Sequence, residues 1–262
     1  DMITNKWYGW RPDLPDFRDF KFTRGVALKD AIPNPILDNV DLRTTGFLPP
    51  VFDQGDLGSC TANSLSELFY FVDKKQTGIS FLPSRLFIYF NERKVEGTVG
   101  EDAGASLRTG IKTIVNQGVC LENLWPYHPE LFSVTPPQIC YTDAQRHEAK
   151  VYRSVNQTAD AIKGCLSDGF PVTVGLTLYD SFESDAVAAS GIVAMPGPDE
   201  QAVGGHAVLI VGYDPVNVLI MNSWGADWGQ NGFFQIPWEY VLNPDLASDF
   251  WMVHAITPSA VP

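Results

Sequence analysis

The stretch DQGDLGSCTANSLSELFYFV, residues 53–72, sets a lone cysteine behind a glycine and a serine and ahead of a helical pattern. Leu65, Leu68, Phe69 and Val72 fall three and four apart, the spacing of a helix that buries one face. A cysteine at that junction has three readings: a buried structural thiol, a metal ligand or a nucleophile. A helix start gathers unpaired backbone N–H groups and the positive end of the helix dipole, and both favour a thiolate. A nucleophile also needs a histidine to share its proton and a polar group to hold that histidine.

Four histidines are available. His128 and His147 lie in a polar stretch rich in Pro and Tyr and read as surface residues, whereas His254 in WMVHAI reads as part of a strand. His206 differs, because it follows Gly204 and Gly205 and opens the apolar run HAVLIVGYD. Asn222 closes the run VNVLIMN, so a neighbouring strand returning beside His206 sets the two side chains together. Trp224 then stands where it covers them and keeps water out. Periodicity by itself leaves a packed core histidine and a turn asparagine equally open.

The chain has 262 residues, 45% of them hydrophobic, which is ample for a large core. Its 31 acidic residues against 18 basic ones give a net charge of −13, which argues against nucleic acid or an anionic membrane surface as partner. No run of 18 apolar residues and no signal-peptide pattern is present. The expected setting is cytoplasmic, or vacuolar or secreted if a leader has been removed. Four cysteines, Cys60, Cys120, Cys140 and Cys165, are too few for a disulfide-built scaffold. With Cys60 free they allow one bridge, Cys120 with Cys140 being the nearer pair in sequence. Cys60 and His206 alone make an incomplete metal-ligand set, so neither a metal nor another cofactor is expected.

Helical patterns occupy the first half: residues 61–72, SRLFIYFNER with Pro83 at its first position, ASLRTGIKTIVNQG stopped by Gly118, and TADAIKGCLSDG. Residues 121–150 read as irregular surface chain. The second half holds the β-rich runs PVTVGLTL, HAVLIVGYD, VNVLIMNSW and GFFQIP. Helices followed by strands predict an α+β body with two sub-lobes and a cleft between them.

Cys, then a distant His, then Asn in an NSWG setting resembles the papain-like cysteine proteases over roughly residues 36–256. QGDLGSC looks like the block around the nucleophile, GGHAVLIVGYD like the histidine block and NSWGADWGQNGFFQIP like the asparagine block. NVDLRTTGFLPPV and NQGVCLENLWPY resemble two further segments of that family, in the right order. The resemblance implies a two-lobe fold: a helical left lobe, an antiparallel β-barrel-like right lobe and the active-site cleft between. It implies Cys60 as nucleophile, His206 as general base and acid, Asn222 as the residue holding the imidazole, and Gln54 as an oxyanion donor. Gly104, Ala105, Gly205 and Trp224 are implied to line the substrate cleft. The implied activity is hydrolysis of internal peptide bonds through a thioester. The implied partners are a peptide or protein substrate and a cystatin-like or propeptide-type inhibitor, with the enzyme a monomer.

This chain departs from the family pattern at Leu57, where a bridged cysteine is common, at Thr61, where Trp is usual, and at Ala105, the second residue of a usual glycine pair. Residues 1–35 stand apart from the 36–262 protease domain. They carry Trp7, Trp10, Pro12 and Pro15 and no sustained helical period, and Pro33 and Pro35 make the junction stiff. Three fates fit: a short propeptide cleaved before about Ile36, a permanent arm, or a plug. An arm that restricts access is the favoured expectation. Residues 183–205 read as a loop overhanging the cleft without a charge-based subsite. The alternatives in function are a peptide-binding protein on a protease fold and a transpeptidase or ligase using the same thioester.

Overall fold

A computed structural model describes residues 8–23 and 35–257, so Trp7 and Pro33 lie outside the described residues. After a short strand β1 (Val40–Asp41), the chain builds three helices in succession: α1 (Cys60–Thr77), α2 (Arg85–Glu96) and α3 (Leu107–Asn116). Helix α1 runs through the middle of the molecule with Leu65, Leu68, Phe69, Phe71 and Val72 buried, and stops at Gly78 in the left-handed conformation. Pro83 lies two residues before the first residue of α2. The cap is Ser84, whose Oγ accepts the Phe87 N–H at 3.1 Å.

Residues 121–150 are more ordered than their composition predicts. They form helix α4 (Gln138–Ala144) and the start of strand β2 (Ala149–Ser154), and they bury His147 against Phe81 at 4.3 Å between ring centroids. His128 is exposed, as expected. Cys120 and Cys140 sit as thiols in one small buried cluster with Phe87 and Ala144.

The second lobe follows: α5 (Ala159–Ser167), β3 (Val172–Tyr179), α6 (Asp185–Ser190), β4 (Ala202–Tyr213), β5 (Asn217–Met221), β6 (Phe233–Pro237), α7 (Trp238–Leu242) and β7 (Ala247–Ile256). One seven-stranded sheet runs in the order β2-β7-β3-β4-β5-β6, with β1 added to β4, and all its pairings are antiparallel. The barrel-like right lobe expected from sequence is therefore wrong. The path ends at β2 and β6, which do not pair with each other, and the sheet stays open.

Instead of pairing with each other, the two outer strands each meet another segment of the chain at one residue. At the β2 edge, Ser154 accepts the Phe22 N–H at 2.7 Å and donates its own N–H to Phe20 O at 2.8 Å. At the β6 edge, Gln235 donates to Gly191 O at 2.7 Å and accepts from the Val193 N–H at 2.9 Å. Helix α1 packs on β4 and β7, joining the lobes through one continuous core and setting Cys60 beside the sheet.

Candidate active site

Cys60 is the first residue of α1 and is fully buried. Burial pushes its thiol up to about 11, against a smaller opposing pull from the nearby Ala207 and Gly9 backbone. Strand β4 brings His206 to the same place, and the end of β5 brings Asn222. His206 Nε2 and Asn222 Oδ1 are 2.8 Å apart, both residues having no solvent exposure. Asn222 Oδ1 also accepts the Ser223 N–H at 2.9 Å, which identifies that atom as the amide oxygen. The imidazole proton therefore sits on Nε2, and Nδ1 is the basic nitrogen.

Trp224 lies over the ring at 4.9 Å between centroids and is itself held by Phe182 and Trp228. Gln54 is fixed to the same turn. Its Oε1 accepts the Ser223 hydroxyl at 2.7 Å, its N–H donates to Ser223 O at 2.9 Å, and its Nε2 donates to Leu57 O at 3.0 Å. The four expected catalytic residues thus share one buried cluster between the lobes.

The expected cleft residues Gly104, Ala105 and Gly205 form the opposite rim and side, and the N-terminal segment lies between them. Gly9 O accepts the Ala105 N–H at 2.7 Å, Arg11 donates to Ala105 O at 3.0 Å and Trp10 donates to Gly205 O at 3.1 Å. The pairing of Trp10 with Ala105 is parallel. Only glycine fits at position 9: a Cβ there would stand 1.7 Å from Gly58 O. Tyr8 follows over His206 and Trp224, and its hydroxyl donates to Glu183. The 183–205 region therefore does present a charged group to the cleft, contrary to its composition, and part of it is the helix α6.

Beyond the cleft the segment is fastened by charge. Arg108 reaches Asp19 at 2.7 Å and Asp13 at 3.9 Å, and Arg11 pairs with Glu96. The Asp13 N–H and the Trp10 indole N–H both donate to Asp249 Oδ2, at 2.8 and 3.0 Å.

The family resemblance implied a side-chain pocket walled near Ala207 and by the 245–250 stretch, without singling out Asp249, and sequence reasoning missed Gly175, Arg108 and Asp102. Asp102 accepts the Gly58 N–H at 3.0 Å and the Tyr89 hydroxyl, tying the loop before Cys60 to the rim. None of these sits in a recognisable pattern, although "PVTVGLTL" did carry one signal, a glycine inside a strand, which often marks a close approach by another chain.

The profile of the papain family cysteine proteases matches residues 36–245. An uncharacterised peptidase C1-like protein of Acanthamoeba polyphaga mimivirus is 41% identical over 95% of this chain and 87% of its own length. Oryzain gamma chain of Oryza sativa subsp. japonica is 30% identical over 80% of this chain, which spans only 57% of that protein. Among solved structures, xylellain, a cysteine protease from Xylella fastidiosa, is 40% identical and superposes with a TM-score of 0.82, covering 95% of this chain and 96% of its own. A Carica candamarcensis cysteine protease at 22% identity and TM-score 0.63, covering 83% of this chain and 98% of its own, shares the fold. The chain belongs to the papain family of cysteine proteases. It is a cysteine endopeptidase that hydrolyses peptide bonds through a thioester.

Proposed function

We propose that Cys60, His206, Asn222 and Gln54 carry the hydrolysis, and that residues 8–23 keep the enzyme latent as a built-in propeptide-type inhibitor. In the open enzyme, His206 Nδ1 takes the Cys60 proton, and the thiolate attacks the scissile carbonyl carbon. Negative charge then develops on the carbonyl oxygen, where the Cys60 N–H and the Gln54 amide are the donors. The imidazolium returns its proton to the leaving amine, and water activated by the same nitrogen hydrolyses the thioester. Asn222 keeps the tautomer throughout, and Trp224 shields its bond from water.

The observation that supports the latency is where the arm lies. Gly9 O accepts the Ala105 N–H, Arg11 donates to Ala105 O and Trp10 donates to Gly205 O, so the arm takes up backbone donors and acceptors on both sides of the cleft. It also excludes water, and burial holds the thiol protonated. A cystatin-like inhibitor uses the same cleft and competes with the arm.

The test is labelling by a papain-directed epoxide, followed by intact mass. The full chain, a chain starting at Ile36 and a Cys60→Ala variant of each are compared. Labelling confined to the shortened chain and abolished by Cys60→Ala is expected. Equal rates for both lengths remove the latency, and labelling that survives Cys60→Ala removes the assignment of the nucleophile.

A further inference from the structure

Trp10 is the residue of the arm whose side chain is received by a fitted pocket, being 6% exposed. Gly175 on β3 opens the wall, since a Cβ there would stand 1.9 Å from Trp10 Cε2. Gly205 forms the side next to His206, where a Cβ would meet Trp10 Cε3 at 2.8 Å. Asp249 closes the far end with Oδ2 on the indole N–H at 3.0 Å.

Its presence there is built into the sheet. Thr173 pairs with Trp251 and Gly175 with Ser248, so β7 carries one extra residue across this interval. Such a bulge re-aims a side chain. Asp249 takes it up with φ 59, a conformation few residues other than glycine adopt.

We infer that Gly175 and Asp249 make this pocket selective for peptides bearing a two-ring side chain with a ring N–H, namely tryptophan, and that Trp10 holds the place of that substrate side chain. The inference rests on the cleft being the substrate groove. A leucine or phenylalanine fills part of the volume and brings no ring N–H to Asp249 Oδ2. A naphthyl ring fills the volume but brings no N–H. Losing a hydrogen bond to a charged acceptor in such a site weakens binding by about tenfold.

The test uses the chain starting at Ile36 with Cys60→Ser, so that the arm and its indole are removed and no turnover occurs. Calorimetry measures N-acetyl tripeptide amides that differ only in one central side chain: tryptophan, 2-naphthylalanine, phenylalanine or leucine. The tryptophan peptide is expected to bind about tenfold more tightly than its naphthyl counterpart. Asp249→Ala should bring the two within about twofold of each other, while Asp249→Asn, which keeps an acceptor, retains the preference. Gly175→Val should weaken both two-ring peptides below leucine.

Equal binding of the tryptophan and naphthyl peptides overturns the inference. So does a preference untouched by Asp249→Ala, or binding of none of the peptides by a chain that takes the epoxide. The role of Cys60 is read separately, by epoxide labelling of the chain starting at Ile36 with its cysteine intact. Labelling without a tryptophan preference sinks this inference alone, and the preference without labelling sinks the catalytic reading alone.

Discussion

His206 Nε2 and Asn222 Oδ1 lie 2.8 Å apart in a position without solvent exposure, and the oxygen is held there by the Ser223 N–H. That one contact decides which imidazole nitrogen is basic. Asn222→Ala should therefore lower kcat by about a hundredfold, the scale of a lost general base. Asn222→Asp keeps an acceptor and should retain more activity, with the alkaline limb of the pH–rate profile moved upward because a carboxylate favours imidazolium. Steady-state kinetics across pH on the released enzyme measures both. A kcat for Asn222→Ala near that of the parent removes the role.

Arg108 is the chief latch of the arm, joined to Asp19 and Asp13 together with the Leu14 carbonyl. Arg108→Ala should speed epoxide labelling of Cys60 in the full chain by about tenfold, the scale of a charge-assisted hydrogen bond. The same substitution in the shortened chain should leave the labelling rate unchanged.

Asp249 has its carboxyl pushed up to about 6, chiefly by burial, with Asp13 adding repulsion. A folded-state value above the unfolded one means that the fold takes up a proton. This group's stabilisation is complete below about pH 4 and is lost as pH rises through 6. Asp249→Asn should therefore raise stability at pH 8 by about 2 kcal/mol and change little at pH 4. Urea titrations at the two values measure the difference, and an equal effect at both contradicts it.

The residue patterns alone made Cys60 at a helix start and His206 behind two glycines candidates. It was the resemblance to the papain-like proteases that joined Asn222 and Gln54 to them, and the structure brings the His206 and Asn222 side chains together. An access-restricting arm was the favoured expectation, but its partners were not legible, since Tyr8, Gly9 and Trp10 find them some 50 to 240 residues away. Sheet closure was misjudged for a related reason: the strands are equally alternating whether their outer edges pair with each other or with Phe20–Phe22 and Gly191–Val193. His147 was misread because local polarity hid its ring contact with Phe81.

Glu92 lies fully buried beside the nucleophile, accepting the Thr61 hydroxyl at 2.9 Å, with Oε1 finding no hydrogen-bond partner among the described residues. Burial raises its carboxyl well above the usual glutamate range, so its stabilisation is present at low pH and lost as pH rises through that elevated value. Glu92→Gln should keep stability within about 1 kcal/mol of the parent wherever the carboxyl is protonated and remove the loss that accompanies its ionisation. Glu92→Ala should cost about 2–4 kcal/mol by leaving a cavity and an unpaired hydroxyl. Chemical denaturation from pH 6 to 10 separates the two, and a steep alkaline decline retained in Glu92→Gln counts against the assignment.

The hydrogen bonds that Phe20 and Phe22 make to Ser154 give the arm a second consequence, far from the cysteine. If the arm departs, Ser154 at the end of β2 loses both backbone partners and presents a donor and an acceptor to whatever extended chain comes near. On the proposed latency, release of the arm would then link activation to self-association, and a concentrated store of the protein would be safest with the arm still on.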